Sequence, residues 1–368
     1  MSVYIHQLSN WPRFTWNQES IATLLLAISN KQGRLLGRME SIGFVLKEEA
    51  TLQTITLDVL KSSEIEGELL NADQVRSSVA RRLGMNFTGM IPSDRNVDGV
   101  VEMMMDATQY FNEELSTERL FSWHGCLFPT GRSGMQKIKT GAWRNNASDD
   151  PMQVVSGAFG REKVHFRAPN SELLNDEMNH FLNWLNNTTA INPIIKTAIA
   201  HLWFVSIHPF EDGNGRIARA ISDMLLARAD GTAQRFYSMS TQIRKERNAY
   251  YEILEATQKG DLDITDWLSW FLNCLDQSLN ATDETLSIVL QKAKFWEAHS
   301  KTLLNNRQLL MINKLLDGFV GKLNSSKWAS IAKCSQDTAL RDIQDLIDKK
   351  ILVKELGGGR STSYLIAE

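Results

Sequence analysis

Over most of the chain apolar residues recur at three- and four-residue spacing, the period of helices with one buried face. Several predicted helices open on a side-chain acceptor followed by an acid, as in "LNADQV" at Asn71, "LSTERL" at Ser116 and "PNSELL" at Asn170. Prolines such as Pro92, Pro129, Pro169 and Pro193 fall at the edges of these stretches. The expected class is mainly α. Alternation replaces the helical period in two places. "PMQVVSGAFGREKVHFRAP", residues 151 to 169, alternates around glycines and predicts a β-hairpin, the only strand signal before the C-terminus. "ILVKELGGGRSTSYLI", residues 351 to 366, gives two short alternating runs about a Gly-rich turn. With the helices "SSKWASIAK" and "SQDTALRDIQDLIDKK" before it, the order is that of a winged helix.

With 368 residues, 43% of them hydrophobic, two or three domains are expected. No repeat or low-complexity linker marks their limits. The soft boundaries are an N-terminal helical module over 1–90, a core over 91–299 and a winged-helix-like domain over 300–368. The balance of 40 basic against 43 acidic residues, net −3, excludes an overall basic nucleic-acid or membrane binder. Cys126, Cys274 and Cys334 lie far apart with no CxxC pair, which excludes an ordinary zinc module and a disulfide framework. No segment offers 18 uncharged apolar residues in a row and the N-terminus lacks a leader pattern. A soluble cytoplasmic protein without membrane contact is expected.

The chemistry concentrates in "HPFEDGNGRIAR", residues 208 to 219. The preceding "INPIIKTAIAHLWFVSIHPF" is almost wholly apolar, a buried helix that must end near His208 because Pro209 disfavours helical backbone in the residue before it. A second helix starts around Asn214, with Ile217, Ile221, Met224 and Leu225 as its buried stripe. Gly213, Asn214 and Gly215 therefore occupy a helix N-terminus, where unpaired N–H groups and the helix dipole favour an anion. Arg216 and Arg219 add guanidinium forks one turn apart. Asp212 supplies the hard oxygen that Mg2+ takes when it bridges nucleotide phosphates. His208, with an ordinary pKa of ~6.5, can accept a proton from an attacking hydroxyl. These are the parts of a phosphoryl or nucleotidyl transfer site.

Two plainer readings compete. A calcium loop counted from Asp212 would put Arg216 and Asp223 at ligand positions 5 and 12, which excludes it. A polar turn joining two helices is the other. Nine specified positions meet by chance on the order of 10^-12 per window.

The stretch resembles the Fic family motif HPFx(D/E)GN(G/K)Rxx(R), matched at every specified position. The likeness extends over roughly residues 95 to 275, including "GAWR" at Gly141 and the hairpin. It implies a helical core with a β-hairpin flap and, mostly, transfer of AMP from ATP to a protein hydroxyl. His208 would be the general base toward a Ser, Thr or Tyr, Phe210 a core anchor, and Asp212 the Mg2+ ligand. Gly213, Asn214 and Gly215 would form the anion hole, and Arg216 and Arg219 would bind the outer phosphates.

The hairpin at "VHFRAP" resembles the family's flap, which takes up a target chain by β-augmentation, with Val164, His165 and Phe166 in the clamp. An ordinary surface hairpin is the alternative. "NAYYEILEATQKGD" resembles the segment that lines the adenine pocket, mapping to Tyr251 and Gln258. Here glutamine stands where the family has asparagine, longer by a methylene. Tyr250 and Tyr251 read equally well as packing aromatics. "KSSEIEGELL", residues 61 to 70, is by itself an acidic helix end, usually a solvated face. Its "SSEIEG" matches the family's inhibitory pattern (S/T)xxxE(G/N) at Ser62, Glu66 and Gly67. The resemblance implies that Glu66 pairs with Arg219 and denies it to the γ-phosphate. His6 and His124 read as structural.

Residues 301 to 368 carry eleven Lys and Arg against seven Asp and Glu, a mild excess. The predicted recognition helix holds four aspartates, which would meet DNA phosphates with repulsion, although Arg360 in "GGGR" could touch one. Protein docking or dimer positioning is the favoured use of this domain. Candidate partners are thus a hydroxyl-bearing protein target, the chain itself, a second copy, and DNA. The alternatives to AMP transfer are a nucleotide-sensing regulator acting through the C-terminal domain, transfer of another nucleotide, and removal of AMP.

Overall fold

The computed structural model describes residues 3–40, 44–86, 89–147, 149–157, 160–319, 321–355 and 362–367. It is mainly helical. The elements are α1 (Gln18–Glu40), α2 (Phe44–Ile65), α3 (Ala72–Arg82), α4 (Arg95–Gln109), α5 (Thr117–Leu127), β1 (Arg132–Ser133), β2 (Gln136–Lys137), β3 (Gln153–Ser156) and β4 (Lys163–Arg167). There follow α6 (Leu174–Asn187), α7 (Pro193–Ile207), α8 (Asn214–Asp230), α9 (Met239–Lys245), α10 (Arg247–Gln258) and α11 (Thr265–Ala298). The last are α12 (Asn306–Leu316), α13 (Ser325–Ile331), α14 (Gln336–Asp348), β5 (Leu352–Lys354) and β6 (Tyr364–Ile366). The chain divides into two compact units, Met1–Met85 with Ile91–Thr282, and Asn86–Met90 with Asp283–Glu368, so that one division falls within α11.

In the first unit α7 and α8 form the central pair. α7 is buried from Thr197 to Ile207, as its unbroken apolar run demands, and α8 buries Ile217, Ile221, Met224 and Leu225. Around them pack α2, α4 and α5 against α8, and α6 against α7. α4 and α5 approach so closely that a Cβ on Gly99 would stand 1.8 Å from the Cys126 carbonyl oxygen, leaving glycine as the fitting residue. The N-terminal segment is stitched into the same unit: Thr15 N donates to Leu262 O (2.8 Å) and Ile264 N to Thr15 O (2.9 Å).

Local signals set most helix starts. Asn71 accepts from Gln74 N (3.0 Å) and Ser116 from Arg119 N (3.2 Å), as their acceptor-plus-acid patterns predict. Asn170 differs. A 3-10 turn over Ser171–Leu173 intervenes, α6 begins at Leu174, and the Asn170 side chain makes no cap bond.

The hairpin predicted at 151 to 169 is β3–β4, paired Gln153↔Arg167, Val154↔Phe166, Val155↔Val164 and Ser156↔Lys163 with an irregularity between Val154 and Val155. Its tip, 158–159, lies outside the described residues. A second, smaller hairpin, β1–β2, corrects the expectation of a single strand signal before the C-terminus. Two-residue strands are too short to show a period of two.

The second unit buries Met311, Ile312, Trp328, Ile343, Leu346 and Ile351 among α12, α13, α14 and the β5–β6 hairpin. Tyr364 N donates to Leu323 O at 3.0 Å. Of the four aspartates of α14, Asp342 is buried in a two-bond pair with Arg307 (2.7 and 3.0 Å), and Asp345 is held by Lys349 and Gln308. Asp337 and Asp348 face solvent. The repulsion expected of four acids thus reduces to two. Arg360 and its Gly-rich turn lie outside the described residues. Among the described residues no helix is long and apolar enough to cross a membrane.

Candidate active site

α7 stops at Ile207, and His208 caps it in the left-handed region (φ 52°), its N–H bonded to Phe204 O at 3.0 Å. His208 Nδ1 lies 3.3 Å from Val205 O, so Nδ1 donates and Nε2 keeps its lone pair. Burial, reinforced by the Arg144 guanidinium, lowers the His208 pKa to about 4, so the imidazole is neutral at pH 7.

Arg144, to which sequence reasoning gave no role, fixes this corner. Its Nε donates to His208 O (2.8 Å), its Nη2 to Pro169 O (2.6 Å) and its Nη1 to Asn146 Oδ1 (2.7 Å), while its backbone N–H donates to Pro209 O (2.9 Å). One buried cation thereby joins the end of α7 to the segment leaving β4. The only signal was the spacing of "GAWR" itself.

Phe210 is fully buried, stacked on His124 with centroids 4.2 Å apart. His124 also accepts from Gly141 N (3.1 Å) and faces Asp212 O (3.2 Å), which makes it a brace of the loop. Asn214 closes that loop, accepting from Phe210 N (3.0 Å) and donating to Phe210 O (2.8 Å). Gly213 has φ 81°, and a Cβ there would stand 2.9 Å from the Phe128 ring, so both backbone and space call for glycine. The first bond of α8 is Ile217 N to Gly213 O (3.0 Å), which leaves the amides before it without a helical partner.

Arg216 and Arg219, in the first turns of α8, are nearly inaccessible. Arg219 donates from Nε to Ser62 Oγ (2.9 Å) and from Nη2 to Ser62 O (2.9 Å) and Glu66 Oε1 (2.7 Å). Burial disfavours its charge, yet Glu66 beside it more than compensates and its pKa stands above the ordinary value. Arg216 lies over the Phe128 ring at 5.0 Å and donates from Nη1 to Glu68 Oε2 at 2.6 Å. Arg216 Nε and Arg219 Nη1 are buried without a hydrogen-bond partner. Two unspent N–H groups at a helix start suit an anion with several oxygens.

Glu66 follows the end of α2. Arg247 Nε donates to Ile65 O (2.6 Å), and Tyr251 OH donates to Glu66 Oε2 (3.3 Å). A Cβ on Gly215 would stand 2.3 Å from Glu66 Oε1, so this carboxylate rests directly on the first turn of α8. Deeper in the core Asp58 of α2 accepts from Ser238 Oγ and faces Asp223, which Arg235 pairs at 3.0 Å. Burial and the neighbouring Asp223 push the Asp58 pKa well up.

Asp212 accepts from Ser133 Oγ and from Gly213 N (2.6 Å). Among the described residues no group of three or more His, Cys, Asp or Glu could hold a metal ion on its own. A lone carboxylate beside an anion site fits Mg2+ that takes its other oxygens from phosphate and water. Of the remaining sequence candidates, Ser62, Glu66, Gly67 and Tyr251 lie together with Arg219, whereas Gln258 is buried and spends its amide on Ser206 Oγ (3.2 Å). Phe166, expected in the clamp, is instead 1% exposed and packs edge-on to Tyr4 at 5.2 Å. Val164 is half-buried, and His165 links Ser156 Oγ (2.5 Å) to Glu255 (2.5 Å). Sequence reasoning missed Arg144, Glu68, Ser133 and Arg247, each of which acts through a partner distant in sequence.

A neutral histidine at a helix end is thus followed by a glycine-lined helix start with two buried arginines, all on an α-helical core. Residues 114–226 match the model of the Fic/DOC family. Residues 4–85 match a domain of unknown function, DUF4172. Over 241 residues the chain is 33% identical to a protein adenylyltransferase Fic of Aedes aegypti and 27% identical to one of Drosophila mojavensis. The match takes in 64% of this chain but only 42% and 41% of those relatives' lengths. A solved Fic family protein from Desulfovibrio desulfuricans G20 shares the fold, with a TM-score of 0.56 at 20% identity over 97% of this chain and 98% of its own.

Proposed function

We propose that this chain transfers AMP from ATP to a Ser, Thr or Tyr hydroxyl of a protein target, and that Glu66 holds the reaction back through Arg219. The observation that carries the reading is the conjunction, across one loop and the helix it opens, of a neutral His208 with a free Nε2 and two buried arginines with unspent N–H groups. The names of the Aedes and Drosophila relatives support it.

His208 Nε2 takes the proton of the incoming hydroxyl as its oxygen bonds to the α-phosphorus; the bond to the β-phosphate oxygen breaks and pyrophosphate leaves. The amides of Gly213, Asn214 and Gly215 receive the charge that develops on the phosphate oxygens. Arg216 and Arg219 bind the outer phosphates, and Asp212 would hold Mg2+. When bound, that ion screens the phosphate charge and fixes its orientation. Tyr251 lies beside the nucleotide, and Gln258 shapes its pocket from within the core. The target chain adds to the β3–β4 flap as a further strand, with Val164 and His165 nearest to it.

With Glu66 on Arg219, the guanidinium is occupied and a negative charge sits where the γ-phosphate would come. We read the C-terminal unit as a winged-helix protein-docking module. The cross-strand pair Val353↔Leu365 is exposed on both sides, at 44% and 48%, an apolar outer face that suits protein better than phosphate. The test is the intact mass of the Glu66→Gly protein after incubation with ATP and Mg2+. One added AMP that disappears in Glu66→Gly/His208→Ala is expected; no adduct on the chain or on lysate protein sinks the proposal.

A further inference from the structure

One short stretch sends an acid to each arginine of the phosphate face. Glu66 reaches Arg219, and two residues on Glu68 reaches Arg216 with Oε2 to Nη1 at 2.6 Å. Gly67 between them has φ 87°, a conformation that glycine adopts at little cost, and the turn brings side chains i and i+2 to the same helix start. The Arg216 side chain is 3% exposed while that of Glu68 is 47% exposed. Its guanidinium rests on Phe128, its Nε has no partner, and Glu68 is the acid that pairs with it.

We propose that Glu68 is a second determinant of nucleotide affinity: it occupies Arg216 as Glu66 occupies Arg219, so a polyphosphate must displace two carboxylates, one from each arginine. The inference rests on the reading of this site as one for ATP. Each acid uses N–H groups that phosphate oxygens would take and adds negative charge at the positive end of α8. The two are unequal. Glu66 rests on Gly215 and takes a further bond from Tyr251, whereas Glu68 is open to water and its hold on Arg216 is screened. Glu68 touches neither His208 nor the amides that follow it, so it sets how tightly the outer phosphates bind and leaves the transfer step alone.

The test compares full-length wild type, Glu68→Gln, Glu66→Gly and the double variant by calorimetric titration with ATP and with AMP, and by KM and kcat for AMP transfer. Glu68 is half exposed on the surface, so its amide leaves the fold intact. In the Glu66→Gly background Glu68→Gln should tighten ATP binding and lower KM roughly two- to fivefold, with kcat and AMP affinity unchanged. The proposal is overturned by an ATP affinity that Glu68→Gln does not alter while Glu66→Gly does, or by an equal gain for AMP, which has no outer phosphates. Failure of Glu66→Gly to bind ATP at all overturns the nucleotide reading of the site and this inference with it.

Discussion

Glu66 Oε1 stands 2.7 Å from Arg219 Nη2, across 153 residues of sequence, and the arginine it meets is 1% exposed. A guanidinium so placed needs partners for every N–H, and Nη1 already lacks one. Glu66→Gly should therefore cost the nucleotide-free protein about 1–2 kcal/mol, since Ser62 still holds Nε and Nη2. ATP with Mg2+ should then raise Tm more in the variant than in wild type, because the ligand replaces the missing acid. Scanning calorimetry with and without nucleotide checks both. An unchanged Tm together with no response to ATP would mean that the pair neither stabilises the core nor guards a phosphate site.

Gly215 offers a sharper separation of inhibition from catalysis. A methyl there would stand 2.3 Å from Glu66 Oε1 and 3.2 Å from Arg219 Nη1. The carboxylate, at the end of a flexible side chain, can swing away, but the methyl remains where a phosphate must approach the helix start. Gly215→Ala should thus loosen the Glu66 contact without raising AMP transfer. In the Glu66→Gly background it should lower transfer roughly tenfold or more. Labelled ATP measures this, and a double variant as active as Glu66→Gly alone would rule out phosphate contact with this turn.

The buried histidines predict an acid-labile fold. Burial lowers the pKa of His208, His124 and His6 to about 4 each and that of His201 to about 3. For a group with a depressed folded pKa, stability is complete above the ordinary value of ~6.5 and is lost as pH falls toward the folded one. Burial raises the pKa of Asp58, Asp223 and Asp230, which works the other way, but these three stand against the four histidines and against Asp98, Glu255 and Asp342, whose carboxyls are held low by their hydrogen-bond partners. The urea midpoint should fall steadily from pH 7 to pH 4. A midpoint that stays level over that range would contradict the burial of these rings in neutral form.

The ends of α7 and α8 were readable because their causes are local: Pro209 stops one helix and Gly213 frees the turn into the next. The apolar stripe of α8 was legible for the same reason, a period intrinsic to the segment. What escaped depends on the far side of each contact. Arg144 bonds carbonyl oxygens of residues 169, 207 and 208, groups that every residue carries and that leave no mark in a side-chain pattern. Glu68 looks like one more acid in a solvated helix end until Gly67 turns it toward Arg216. Phe166 lies on the predicted hairpin and Gln258 on the predicted helix, but Tyr4 covers one and Ser206 takes the amide of the other. On α14, Arg307 of α12 decides that Asp342 turns inward, and Gln308 and Lys349 hold Asp345.

Arg144 yields the prediction that best separates positioning from packing. It holds the carbonyl of His208 itself and, through Pro169, the end of the flap. It also contributes, after burial, to the low pKa of His208, while Asp212, Glu66 and the Val205 carbonyl pull the other way. Replacing it by methionine keeps the volume of the stem and removes the charge and the donors. In the Glu66→Gly background, Arg144→Met should lower kcat roughly tenfold or more while leaving KM for ATP near its starting value, since the phosphate groups of α8 are untouched. The acid limb of the kcat profile should also move to higher pH, because the His208 pKa rises when the neighbouring cation is gone. Arg144→Lys keeps the charge and should leave that limb in place while still losing rate. A loss of rate in both variants with identical pH profiles would reduce Arg144 to a packing residue.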